Sequence, residues 1–374
     1  MFYKNARIFV EDRFCMGAFE VDGCKFGAVL PGEVPADAID LKGATVIPGL
    51  VDVHIHGAMG ADFSDGDTEG LSQMAGYLAS CGVTSFTPAS MTLPYEVLEK
   101  AFISAKQVAT HRREGHARVM GIHMEGPYFS YKKKGAQNGD YLKDPDFTGL
   151  KKLDKACDGM VRIVDVAPEL PGAEEFIKEA CKHYTVSVAH TDSDYDQAKM
   201  AFDSGAKHLT HLYNAMPGIH HREPGVIPAA VENEHVKAEL ICDGLHVHPA
   251  SVRLAFRMFG AERIVLISDA LRCCGMTDGI YELGGQQVQL QGGVARLMDG
   301  TIAGSATNLF DCMVKAMSFG IAEETAVRAA TWNPACAISM QEQIGAIKEG
   351  LYADFIICNE NYTDKKVYIA GKQV

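Results

Sequence analysis

Eight short apolar runs constrain this chain more tightly than any other feature. They occupy residues 50–56, 83–87, 119–125, 161–167, 185–190, 208–212, 237–242 and 264–269. Stretches with helical apolar spacing lie between several of them, at 69–80, 95–111, 172–183 and 194–204. Strands that alternate with helices pair in parallel, and eight such units are the pattern of a (β/α)8 TIM-type barrel. A chain of 374 residues is long for a single core unless that core is a large barrel. The two ends read differently. Arg7-Ile8-Phe9-Val10 and Lys25-Phe26-Gly27-Ala28-Val29-Leu30 near the start are β-prone segments broken by Gly and Asp. Ala353-Asp354-Phe355-Ile356-Ile357-Cys358 and Lys366-Val367-Tyr368-Ile369-Ala370-Gly371 near the finish have the same character. The expectation is an α/β protein, with a barrel over 49–339 and a small β-sandwich domain built from 1–48 and 340–374.

Active sites of such barrels lie at the C-terminal ends of the strands. Chemically competent side chains should therefore stop the apolar runs, and they do. His54 and His56 end the first run, in Val53-His54-Ile55-His56-Gly57. Alternate residues of a strand share a face, so these two imidazoles point the same way. Glu125 ends the third run, His190 the fifth and Asp269 the eighth, and His211 lies near the end of the sixth. Imidazole is the commonest protein metal ligand, and this His and carboxylate set suits a divalent ion such as Zn, Fe or Mn. No cysteine belongs to the set, which turns the expectation away from a structural zinc site. His208 and His211 are three residues apart and face opposite sides of an ideal strand; His211, nearer the rim, is the expected ligand. His123, two residues before Glu125, is expected one layer deeper, supporting rather than ligating. A metal held this way polarises a carbonyl and lowers the pKa of bound water to about 7. Asp269 is then the natural proton shuttle from that water to a leaving amine.

Charge narrows the partners. A formal net charge of −13 disfavours nucleic acid and anionic membranes. A local Arg can still hold a small anion against that distant field. His220, His221 and Arg222 form such a basic patch, whereas Lys132-Lys133-Lys134 reads as a solvated loop. No phosphate-loop motif and no bilayer-length apolar run is present, and the first seven residues lack a signal-peptide core. Eleven cysteines without a zinc-knuckle pattern fit reduced thiols, so the expectation is a cytoplasmic protein in which Cys273-Cys274 are small loop residues.

Longer motifs carry a resemblance that runs nearly end to end. They are Pro48-Gly49-Leu50-Val51-Asp52-Val53-His54-Ile55-His56-Gly57, His123-Met124-Glu125-Gly126-Pro127-Tyr128 and Lys134-Gly135-Ala136-Gln137-Asn138. Ala189-His190-Thr191, His211-Leu212-Tyr213-Asn214-Ala215-Met216-Pro217 and Arg222-Glu223-Pro224-Gly225 follow. Asp243-Gly244-Leu245-His246-Val247, Ser268-Asp269-Ala270 and Ile302-Ala303-Gly304-Ser305 complete the set. On these the chain resembles the amidohydrolase superfamily and, within it, the N-acetylglucosamine-6-phosphate deacetylase family. The resemblance implies hydrolysis of N-acetyl-D-glucosamine 6-phosphate to D-glucosamine 6-phosphate and acetate, or the same reaction on another N-acetylhexosamine phosphate such as the galacto epimer. It implies one or two divalent metals (Zn, Fe or Mn), with Glu125, His190 and His211 as ligands of the first, and His54 and His56 available for a second. Asp269 becomes the catalytic acid and base, and His246 contacts the substrate near the amide or sugar. Arg222 and the backbone of Asn214 and Ala215 would hold the 6-phosphate. Ala136, Gln137, Ile302, Ala303, Gly304 and Ser305 would line the sugar and acetyl pocket.

The resemblance also implies a homodimer, because groups at the Arg222 or His246 position reach across an interface in some members. Some branches carry His where this chain has the neutral amide of Gln137. The carboxylated Lys that bridges the metals of many relatives is missing from the fourth run, Val164-Asp165-Val166-Ala167-Pro168-Glu169, and Glu125 is left as the bridging-capable group. That departs from hydantoinase- and dihydroorotase-like enzymes. A non-catalytic scaffold on the same fold is the rival of another class, and the complete ligand set speaks against it.

Overall fold

The computed structural model describes residues 1–374. Each of the eight apolar runs contains a strand: Leu50–Ile55, Val83–Pro88, Ile122–Met124, Val161–Val166, Thr185–Val188, His208–Leu209, Lys237–Ile241 and Ile264–Ile267. The third is preceded by a short separate piece, Arg118–Val119. Gly121 lies at that break with φ +159°, and a Cβ there would sit 2.1 Å from Arg162 Cγ and 2.8 Å from the Met160 carbonyl. Only a residue without a side chain lets the two backbones approach so closely. All pairings are parallel. The last six strands form one sheet and the first two join Arg118–Val119 in another. Backbone hydrogen bonds link the two sheets at both edges. On one side Ser90 N–H donates to the His123 carbonyl at 3.0 Å; on the other Asp269 N–H donates to the His54 carbonyl at 3.0 Å.

Helices Thr68–Cys81, Tyr95–Thr110, Ala173–Ala180 and Tyr195–Asp203 fall within three residues of the patterned stretches. Aspartates start several of them. Asp67 accepts from the Glu69 N–H, and Asp194 forms a reciprocal capping box with Gln197; each such cap contributes about 1 kcal/mol. Helices and strands share one apolar core of 75 residues. A smaller cluster fills the end of the strands away from His54 and His56, where Val51, Val53, Ile163, Val265 and Ile267 meet Ala335, Ala337 and Ile338. No helix is long and apolar enough to cross a membrane.

Both termini enter one eight-stranded sheet. Its order runs from Lys372–Gln373 through Lys365–Ile369, Phe355–Cys358, Thr45–Pro48, Phe2–Val10 and Arg13–Asp22 to Lys25–Val29, with Ile39–Asp40 beside Phe2–Val10. By hydrogen bonding the strands are one continuous sheet, and Phe26 and Phe355, on strands four places apart in its order, meet with ring centroids 5.9 Å apart, so the sheet folds back over its own aromatic face. Its strands come from distant parts of the chain, and alternation alone does not reveal how many sheets they make. Tyr3, Phe19, Phe26 and Phe355 pack together on it with ring centroids 4.9–6.1 Å apart.

A second feature was not anticipated: an antiparallel sheet of Gly279–Leu283, Gln286–Gln291 and Val294–Leu297, inserted after the eighth strand. Its buried residues pack on Met91, Leu271 and Cys273. Cys273 and Cys274 are both buried, and burial pushes their thiols up to about 11 and about 12, so they are protonated at neutral pH.

One buried ion pair joins the terminal sheet to the parallel strands. Arg118 donates to Asp354, whose other oxygen accepts from the Ala370 N–H at 2.7 Å. Both residues are under 10% exposed. Arg118→Leu leaves the Asp354 carboxylate buried without its cation, and such loss of one partner costs about 3–5 kcal/mol. The expected result is a lower denaturation midpoint in urea at unchanged m-value. A midpoint equal to that of the parent would contradict this role.

Candidate metal centre

Four histidines, a glutamate and an aspartate converge where the parallel strands end. Glu125 is the hub. Its Oε1 lies 3.2 Å from His190 Nε2 and 3.3 Å from His211 Nε2, and those two nitrogens are 3.1 Å apart. Its Oε2 lies 3.3 Å from His56 Nε2, which is in turn 3.4 Å from Asp269 Oδ1. His54 Nε2 stands 3.6 Å from Glu125 Oε1 and 3.7 Å from Asp269 Oδ1, buried and with no hydrogen-bond partner.

The other ring nitrogen decides what these Nε2 atoms are. His190 Nδ1 faces the Lys133 carbonyl at 2.8 Å, His211 Nδ1 the Asn214 carbonyl at 3.2 Å, and His56 Nδ1 the Ala89 carbonyl at 3.1 Å. His54 Nδ1 faces the Glu239 carboxylate at 2.9 Å. Carbonyls and carboxylates only accept, so each Nδ1 carries a proton and each Nε2 is the nitrogen turned inward. Four Nε2 atoms and two carboxylates thus meet in a dry space. Burial disfavours charge on His56 and His211, but Asp269 and Glu125 raise both to about 9, so their inward nitrogens hold protons that a divalent ion displaces on binding. The ligand atoms of Glu125, His190 and His211 form one candidate group, and those of His54, His56 and Asp269 another.

The carboxylates carry charge in this setting. Burial pushes Glu125 up, but His190, His211, His56 and His54 hold it well below the usual carboxylate range. Burial likewise opposes ionisation of Asp269, and the bond from His56 with the charges of His54, His56 and His211 brings it below its ordinary value.

Local backbone geometry aims these groups. His190, His211 and Asp269 have φ of +44°, +31° and +48°, in the left-handed region. Non-glycine residues held there cost of order 1 kcal/mol and cluster at functional sites. The same twist corrects one expectation. His208 and His211 both turn their rings inward, at different depths: His208 Nε2 is 3.1 Å from the buried Glu239 Oε1, whereas His211 Nε2 reaches Glu125 Oε1 at 3.3 Å, and of the two only His211 joins the ligand group, as expected. The strand ends at Leu209, so the two-residue period no longer governs His211. His123 lies beneath, as anticipated, between the Val53 carbonyl and Asp165 at 3.0 and 2.9 Å.

Above the ligands opens a cavity of about 220 Å³. His56, Glu125, His190, His211, His246 and Asp269 form its floor and wall, with Ala136, Gln137, Asn214, Ala215, Ile302, Ala303 and Gly304 around them. Leu283 of the inserted sheet, Met91, Leu271 and Thr301 also line it, and none of these was apparent from motifs. A Cβ on Gly304 would lie 2.5 Å from the Asp269 carbonyl and 3.0 Å from its Oδ1, so the bare backbone lets this loop close against Asp269. His246 is held at both nitrogens, by Asp243 Oδ2 at 2.7 Å and the Ala303 carbonyl at 2.8 Å. Burial lowers its pKa, but the Asp243 bond and charge raise it above the ordinary value, favouring imidazolium.

Gln137 lines the cavity as expected, whereas Ser305 and Arg222 stand outside it. Gln137 is turned down onto the hub: its amide donates to Glu125 Oε2 at 2.5 Å while its carbonyl accepts from the Thr92 N–H at 2.7 Å. Ser305 is buried behind the cavity, donating to the Ser268 carbonyl at 2.6 Å. Arg222 is exposed, 2.8 Å from His221 Nε2, and borders a separate depression with Asp192, Asp194 and Glu223. Glu239 was missed. The available signal was a charged residue inside the run Lys237–Ile241, where a fully buried carboxylate needs partners.

Comparison with known proteins gives the same picture. The model of the amidohydrolase family matches residues 45–374. An N-acetylglucosamine-6-phosphate deacetylase of Vibrio furnissii is 36% identical over 347 residues, 92% of this chain and 86% of the relative. An N-acetylgalactosamine-6-phosphate deacetylase of Escherichia coli O157:H7 is 33% identical over 344 residues, 91% of this chain and 90% of the relative. Among solved structures, an N-acetyl-D-glucosamine-6-phosphate deacetylase mutant of Mycobacterium smegmatis, in complex with N-acetyl-D-glucosamine-6-phosphate, superimposes with a TM-score of 0.93 at 33% identity, covering 100% of this chain and 98% of that one.

Proposed function

The chain belongs to the amidohydrolase family, and from that premise we propose that it hydrolyses the acetamide of N-acetyl-D-glucosamine 6-phosphate to D-glucosamine 6-phosphate and acetate. The carrying observation is the set of four inward Nε2 atoms around Glu125 and Asp269 on the floor of a cavity, each ring fixed from behind at Nδ1. Relatives named for this reaction supply the substrate class. In this reading the eight parallel strands are the staves of a (β/α)8 barrel over 49–339, and 1–48 with 340–374 form the small β domain.

Glu125, His190 and His211 would hold one divalent ion, and His54, His56 and Asp269 face the position of a second; Zn, Fe and Mn all suit these donors. An ion bound there supplies Lewis acidity to the amide carbonyl and acidity to a water. The Asp269 carboxylate takes the proton of the attacking water and returns it to the departing amine nitrogen. The His246 imidazolium offers positive charge to the developing oxyanion from the cavity wall. The loop Ile302, Ala303 and Gly304, backed by Ser305, fits the sugar and acetyl group, with Ala136 opposite. Gln137, bonded to Glu125, acts on the substrate through that carboxylate's orientation.

The Ala215 backbone N–H donates to no group of this chain and borders the cavity beside Asn214, which suits a phosphate oxygen. Arg222 lies outside its own cavity, so in this reading its planar fork serves the phosphate in the site of a second copy across a homodimer interface.

The test is acetate release from N-acetylglucosamine 6-phosphate, N-acetylgalactosamine 6-phosphate and unphosphorylated N-acetylglucosamine under identical conditions. Fastest release from the gluco phosphate is expected. Faster release from the galacto phosphate would transfer the assignment to that epimer, the reaction named for one relative. Equal rates with and without phosphate would remove the phosphate role of Arg222 and Ala215.

A further inference from the structure

We propose that Glu239 is a positioning residue that fixes His54 as a metal ligand and thereby sets whether the pocket of His54, His56 and Asp269 takes an ion. The inference rests on the metal-dependent reading above and adds a residue that no motif singled out.

Of the four rings, His54 alone is held at Nδ1 by a carboxylate; the other three rest on backbone carbonyls. The Glu239 carboxylate is fully buried and wholly engaged. Oε2 accepts from His54 Nδ1 at 2.9 Å and from the His211 N–H at 3.3 Å, and Oε1 accepts from His208 Nε2 at 3.1 Å. Its carboxylate also lies close to His54 and His123, but the Nδ1 atoms of those rings give their protons to Glu239 and the Val53 carbonyl, so the three are engaged in hydrogen bonds rather than poised as ligands around one ion. Glu239 is the acceptor that forces the His54 proton onto Nδ1 and leaves Nε2 bare, buried and unpartnered toward Glu125 and Asp269. A carboxylate behind a ligating imidazole fixes its tautomer and raises its basicity, and loss of such a partner typically costs 10- to 100-fold in metal affinity. Its charge also matters. Two divalent ions would bring four positive charges into a space where Glu125 and Asp269 offer two negative ones, and Glu239 adds a third directly behind it.

Burying a carboxylate costs several kcal/mol unless hydrogen bonds answer it. The only donors that answer Glu239 are His54, His208 and the His211 backbone, all inside the site. A purely structural role would not require this link from one pocket to the other.

The test is titration of metal-free full-length protein with Co(II), read by visible absorption and by bound metal per chain, for the parent, Glu239→Met and Glu239→Gln. The parent is expected to take two ions. Glu239→Met should keep the ion of Glu125, His190 and His211 and weaken the second by about 10- to 100-fold. Glu239→Gln should bind the second ion more tightly than Glu239→Met but less tightly than the parent, because its amide oxygen can still accept from His54 Nδ1 while the charge is gone. If Glu239→Met does not fold, Glu239→Asp replaces it: the charge stays, withdrawn by one methylene, and the second ion alone should weaken. A second ion bound by the Met or Asp variant as tightly as by the parent overturns the proposal. Equal loss of both ions also overturns it, since that is the signature of a general folding role. A parent that takes one ion removes the two-metal reading itself, and the parent titration alone identifies that failure.

Discussion

Asp269→Asn is expected to lower the turnover number by about 100- to 10,000-fold, the usual worth of a positioned proton-transfer group. The loss should fall on kcat rather than KM, because the change removes a base without altering the shape of the cavity wall. Three features support that expectation. Asp269 ends the eighth strand with a left-handed backbone, which turns its carboxylate across the site. Its Oδ1 faces His56 Nε2 at 3.4 Å and His54 Nε2 at 3.7 Å, and these partners hold it ionised against its burial. Gly304 lets the neighbouring loop pack against it without a side chain between. Asparagine keeps the volume and one oxygen but cannot take the water's proton. The measurement is single-turnover acetate release beside metal content on the same preparation. Near-parental turnover with the parental metal content would remove Asp269 from the chemistry.

Stripping divalent metal with a chelator is the second large effect. Deacetylation should fall to background and return on adding back Zn, Fe or Mn. Stability should change with it, because ions that bind only the folded chain add stability by mass action, about 4 kcal/mol per site at a thousandfold excess over the dissociation constant. The physical cause lies in the structure. His190 Nε2, His211 Nε2 and Glu125 Oε1 stand within 3.1–3.3 Å of one another, with the ring protons committed to carbonyls on the far side. Without a cation, part of that repulsion is relieved only by taking up protons. The measurement is a melting curve and an activity assay before chelation, after it and after reconstitution. A chelated sample that keeps full activity with no bound metal would refute the metal reading altogether.

Both effects concern residues that motifs identified, and the reason is geometric. Parallel strands put their chemistry at one end, so a ligand there is also the residue at which an apolar run stops. His54, His56, Glu125, His190, His211 and Asp269 each carry that local signature, and the structure brings all six together. The strand and helix sequence was legible for the same reason: apolar period reports burial within a single element.

What the sequence determined by itself was therefore what local period and residue type encode: the eight strands, four of the helices between them, the β-prone ends and the candidate ligand set. What only the tertiary structure decided depends on groups distant in the chain. Glu239 becomes the support of His54 across 185 residues, Gln137 lines the cavity with its amide bonded to Glu125, and Arg222 leaves its own cavity. The inserted sheet supplies Leu283 to the cavity wall, and the two termini are joined by hydrogen bonds into one continuous sheet. The left-handed turn at His211 undoes the alternation that a straight strand would impose. In each case a hydrogen bond or a packing contact between separate elements fixes the outcome, and no periodicity within one element contains that information.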